Sequence, residues 1–118
     1  MTPEAMRTRT KKFAVDAIKF AKQIPQNAIH DEIASQLTDA ASGTAAAYRA
    51  ACRARSKADF IYKLGNAIEE ADESALWLEI LIEAEIWTAA PVKTLLQEAD
   101  ELTRILVASR ETAKGNRR

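Results

Sequence analysis

The chain has little of what staples or punctuates a fold. Cys52 is its only cysteine, so no intrachain disulfide can form, and a reducing, cytoplasmic setting is expected. His30 is its only histidine, which excludes the paired Glu-x-x-His motifs of di-iron bundles. Three glycines and three prolines in 118 residues leave few breaks, and the abundance of alanine and straight-chain residues favours helix almost everywhere. No apolar run reaches the roughly 18 residues of a membrane span. The opening "MTPEAMRTRTKK" lacks the apolar stretch of a secretory signal. No Gly-rich phosphate loop and no CxxC is present. Net charge is absent too: 17 lysines and arginines balance 17 aspartates and glutamates.

What is there is helical periodicity. A first segment, about residues 3–24, places Met6, Phe13, Ala17, Phe20, Ala21 and Ile24 at three- and four-residue spacings, and Pro25 ends it. A second, about 28–53, turns Ile33, Leu37, Ala40, Ala41, Ala47, Tyr48 and Ala51 inward. Its small residues allow a neighbouring helix to pack closely. Gly43 inside it costs about 1 kcal/mol against alanine, which a backbone approach too close for a side chain would explain. A third starts at Ser56, where "SKAD" reads as a variant capping box, and runs to about residue 88. Phe60, Leu64, Ile68, Ala71, Ala75, Leu78 and Ile82 form its main stripe. A fourth, about 91–113, opens on Pro91, which suits a first helical position. It carries Val92, Leu95, Leu96, Ala99, Leu102, Leu106 and Ala113. Long helices joined by short connections imply an all-α, antiparallel up-down-up-down four-helix bundle, with residues 1–118 as one domain.

The third helix carries more apolar surface than one core needs. Leu76, Ile80 and Trp87 lie away from its main stripe, and Trp77 and Leu81 flank the other side. A helix apolar nearly all round is buried nearly all round. Leu76, Trp77, Ile80, Leu81 and Trp87 are therefore expected to meet another copy of the chain.

The balanced charge is segregated along the chain. Levelling the helices as hairpins puts residues 1–12, 46–63 and 107–118 at one end. That end holds thirteen lysines and arginines against Glu4, Asp59 and Glu111, a net of +10. The remainder carries the opposite −10. Arg49, Arg53, Arg55 and Lys57 are the expected core of a basic platform for RNA or DNA.

Conventional chemistry is sparse. His30 and Cys52 sit at opposite ends of the second helix, about 30 Å apart at 1.5 Å per residue, so they are not expected to pair. Glu69, Glu70 and Glu73 stand as E-E-x-x-E, with Glu98 and Glu101 on the next helix. This is similar to the magnesium-holding pattern of helical nucleotide pyrophosphohydrolases, with Glu101 in place of their aspartate. With a turn near residue 89, Glu98 falls about 15 Å from Glu70, so such a site is not expected to assemble. No catalytic residue, metal ligand or cofactor is expected.

"YRAACRARSKADFIYKL" followed by "EEADESALWLEIL" closely resembles the bacterial four-helix bundle family, also called the 23S rRNA intervening-sequence proteins. "SQL" at Ser35–Leu37, "AA" at Ala40–Ala41 and "IP" at Ile24–Pro25 fit the same pattern. The resemblance implies an up-down bundle that assembles as a ring, a homopentamer where members are known, with no established enzymatic activity. Some members are encoded within inserts of ribosomal RNA genes. A related branch, the accessory variability proteins of diversity-generating retroelements, binds nucleic acid and a reverse transcriptase. The chain departs from the family in two respects. Ala47 stands where the family usually has asparagine before "YR", and the neutral total contrasts with the basic retroelement branch.

Overall fold

A computed structural model describes residues 1–87 and 90–115. The order is α1 (Pro3–Ala21), α2 (Ala28–Cys52), α3 (Lys57–Glu83) and α4 (Pro91–Ala113). At 1.5 Å per residue the 27 residues of α3 span about 40 Å, most of the 45 Å long axis. Backbone contacts join α1 to α2, α2 to α3, α3 to α4 and, most sparsely, α1 to α4. Neither diagonal pair brings its backbones equally close among the described residues. The cross-section is thus a square of four antiparallel helices around one core, the all-α bundle that the periodicity implies.

Local chemistry sets the starts. Thr2, Asn27 and Ser56 each accept a backbone N–H through the side chain, from Ala5, His30 and Asp59 respectively. Each satisfies a donor that has no partner within its helix. Pro91 opens α4 without a side-chain cap.

Two helices end earlier than their apolar patterns imply. α1 stops at Ala21, not Ile24, because the chain tightens into i→i−3 turns, Gln23 N to Phe20 O and Ile24 N to Ala21 O. Pro25 disfavours helical backbone at the residue before it. Ile24 is nevertheless buried, so its place in the apolar pattern reflects packing and not helix. α3 stops at Glu83, not near residue 88. Ile86 N bonds to Leu81 O and Glu85 N to Ile82 O, the paired bonds of a Schellman motif. Glu85 takes the left-handed conformation, φ 56°, at roughly 1–2 kcal/mol for a residue with a Cβ. Thr88, the turn expected near Ala89, and the tail cations Arg117 and Arg118 lie outside the described residues.

The core follows the stripes. Phe13, Phe20, Leu37, Leu64, Leu78, Leu102 and Leu106 are all at most 2% exposed. Between α2 and α3, the most extensive contact, the buried residues are small: Ala40, Ala41 and Thr44 against Ala67, Ala71, Ser74 and Ala75. The buried hydroxyls are satisfied within their own helices, Thr44 donating to Ala40 O at 2.9 Å and Ser74 to Glu70 O at 2.9 Å. Such residues let two backbones approach without leaving a polar atom unpaired.

Candidate nucleic-acid interface

The expected basic residues separate into two places. Arg49 on the last turn of α2 and Arg53 at its C-terminal cap share one wall of a groove between α1 and α2. Arg7 and Lys11, four apart on α1, line it as well, with Thr8, Ala45, Ala46 and Cys52 completing the lining. The groove encloses about 680 Å³. Arg55 and Lys57 are exposed at the α2–α3 turn and do not line it. Arg7 and Lys11 are not among the basic residues expected from the sequence, although their four-residue spacing matches that of Arg49 and Arg53.

The remaining described cations at this end are partly neutralised. Arg9 makes a two-bond ion pair with Glu98 on α4, both N–O distances 2.7 Å. That geometry raises the Arg9 pKa, first through the hydrogen bonds that Arg9 donates to Glu98. Lys12 pairs with Asp16 at 2.7 Å and Lys63 with Asp59 at 2.9 Å. Arg7, Lys11, Arg49 and Arg53 make no ion pair among the described residues. Tyr48, next to Arg49 in sequence, is buried, and its hydroxyl is pushed up to about 12 by that burial and then by Cys52. It stays protonated at neutral pH.

The carboxylates of the E-E-x-x-E pattern are distributed over different faces. Glu70 turns toward α2 and covers Gly43; a Cβ built there would overlap the Glu70 carboxylate and come within 2.7 Å of its Cδ. The close approach expected at Gly43 is real, but a side chain makes it and not a backbone. Glu69 and Glu73 line an acidic hollow with Asp72, Glu79 and Asp100. Glu98 is held by Arg9, and Glu101 pairs with Arg104 at 3.1 Å. No three His, Cys, Asp or Glu side chains converge on a metal position among the described residues. His30 Nδ1 lies 2.7 Å from Pro25 O; a carbonyl only accepts, so this nitrogen carries the proton.

Burial raises the Glu70 pKa, and Glu73, Asp39 and Glu69 add to the shift. A carboxyl raised in the fold binds its proton more tightly there than in the unfolded chain. Its stabilising contribution is complete below its ordinary value of 4.5 and is lost as the pH rises through the raised value. Glu70→Gln is therefore expected to raise the melting temperature at pH 7. The gain should vanish when variant and wild type are compared near pH 3. An equal gain at both pH values would show that the charge on Glu70 is not the cause.

The apolar set expected at a subunit interface also divides. Leu81 is 0% exposed and belongs to the core of its own chain, so it cannot serve as an interface residue. Trp77, Ile80 and Trp87 are half-buried and pack against that core. Leu76 is 49% exposed and sits in the acidic hollow beside Glu73 and Glu79. Ala47 is partly buried against the core.

The architecture and its charge layout define a small all-α four-helix bundle protein with separate basic and acidic surfaces. The chain belongs to the 23S rRNA-intervening sequence protein family, whose model matches residues 5–108. Its fold is similar to a crystal structure from Bacteroides thetaiotaomicron, a protein of unknown function from the S23 ribosomal protein family. That likeness has a TM-score of 0.81 at 26% identity, covering 94% of this chain and 99% of the other. No curated protein matches the chain. No helix among the described residues is long and apolar enough to cross a membrane.

Proposed function

We propose that the protein is a non-enzymatic, self-associating helical bundle that works as a cytoplasmic assembly and binding module. The observation that carries this reading is Leu76, 49% exposed on α3, with Ile80 one turn further on and only half-buried. An apolar centre rimmed by charged residues is how protein–protein contacts are built. The family resemblance makes a homopentameric ring the expected assembly. A binding role is supported by how the reactive side chains are used: Glu98, Glu101 and His30 are each engaged by a structural partner.

The experiment is sedimentation velocity on wild type, Leu76→Asp and Ile80→Asp at micromolar concentration. Burying an unpaired carboxylate at a contact is costly, so both variants should sediment as smaller species with unchanged helical circular dichroism. Variants that sediment as wild type would remove Leu76 and Ile80 from the interface.

A second reading is favoured by the unpaired cations: the basic end attaches to RNA or DNA. Phosphate contacts give affinity without sequence preference. It predicts binding at about 50 mM salt that falls steeply by about 200 mM. The absence of binding at the lower salt would end it.

A further inference from the structure

The cations of the basic end are not equivalent. Arg9, Lys12 and Lys63 spend their charge on Glu98, Asp16 and Asp59. Arg7, Lys11, Arg49 and Arg53 are exposed, unpaired among the described residues, and gathered around one groove with no acidic side chain in its lining. Like charges one helical turn apart repel. Arg7 and Lys11 on α1 are such a pair, Arg49 has Arg53 beside it at the cap of α2, and both pairs face a common space. An anion between them relieves both repulsions.

We propose that the α1–α2 groove, through Arg7, Lys11, Arg49 and Arg53, is the site that holds the phosphodiester backbone of a single nucleic-acid strand. The proposal rests on the nucleic-acid reading above and places it in the groove, away from the α2–α3 turn. Cations four residues apart on a helix are about 6 Å apart along its axis, close to the spacing of successive phosphates on a strand. Cations from two helices embrace one backbone, whereas a duplex would reach only their tips. The small floor of Thr8, Ala45, Ala46 and Cys52 leaves room for the strand. No aromatic side chain lines the groove, so bases have nothing to stack on and point to solvent.

The test is fluorescence anisotropy of the full chain with a short labelled oligodeoxythymidine across a salt series. Four cations on a single strand predict a slope of log affinity against log salt of about −3. Lys11→Gln with Arg49→Gln should halve that slope to about −1.5 and weaken binding at least about tenfold at low salt. Arg55→Gln with Lys57→Gln should leave the slope unchanged. Oligodeoxyadenosine should bind like oligodeoxythymidine. All four side chains are exposed, so the variants keep the fold, as circular dichroism will show. If the turn variant abolishes binding and the groove variant does not, the groove is wrong and the nucleic-acid reading stands. If no single strand binds at low salt, the groove proposal falls, and if duplex DNA and RNA also fail to bind there, the nucleic-acid reading falls with it. Binding of tripolyphosphate but of no oligonucleotide would also overturn the proposal. So would a groove variant with a smaller assembly mass, which would make the groove a subunit contact.

Discussion

Replacing Phe13 by alanine is expected to cost about 3–5 kcal/mol of stability. Phe13 is 2% exposed and sits on α1, whose contact with α4 is the sparsest in the bundle. It lines the α1–α4 cleft together with Thr94 and Leu95, so truncation opens space where few neighbours can close it. Helices cannot collapse freely into a cavity, which adds a cavity cost to the lost burial. Domains of this size have about 5–15 kcal/mol in total, so the variant should be at the edge of unfolding at 37 °C. Urea midpoints at fixed protein concentration will check this, because association adds to apparent stability. A loss below about 1 kcal/mol would mean that α1 is held by something other than its aromatic face.

Replacing Ala71 by leucine is expected to be damaging for the opposite reason. Ala71 is 0% exposed in the α2–α3 seam, where Ala40, Ala41 and Ala67 are equally buried. Extra methylenes there have no space, and overpacking of a filled core costs about 1–3 kcal/mol or more. The same exchange at Ala58, exposed on the first turn of α3, should change stability by less than about 0.5 kcal/mol. The difference between the two thermal melts isolates the seam. Equal melting temperatures would show that α2 and α3 are not closely packed there.

Much of this fold is legible in the residues, and the exceptions have physical causes. Ser56 and Pro91 mark element starts directly, through a side chain and a backbone, whereas Pro25 only bounds a turn that begins after Ala21. The apolar stripes of α1, α2 and α4 predict burial because one helix face meets one core. α3 is read too long because Ile86 and Trp87 continue its apolar pattern beyond a turn that no glycine announces; Glu85 takes the left-handed position instead. Leu81 belongs to the core because the buried arc of α3, a helix that packs on both α2 and α4, is wider than one stripe.

The site was legible in charge but not in geometry. Hairpin levelling relates neighbours in sequence, such as α2 and α3, where Asp39 acts on Glu70. It says little about α1 and α4, which meet across the whole chain. The Arg9–Glu98 pair, 89 residues apart, therefore escapes it, and with it the sorting of paired from unpaired cations. The groove escapes for a different reason: levelling puts Arg7 and Lys11 at the same end as Arg49 and Arg53, but it does not say which faces of α1 and α2 meet.

Whether this bundle works as an assembly of identical chains, as proposed, is tested most directly by its absolute mass in solution. Light scattering on the purified wild-type chain at micromolar concentration should give several times 13.0 kDa, with the pentamer as the expected species. A mass of 13.0 kDa at that concentration would contradict it.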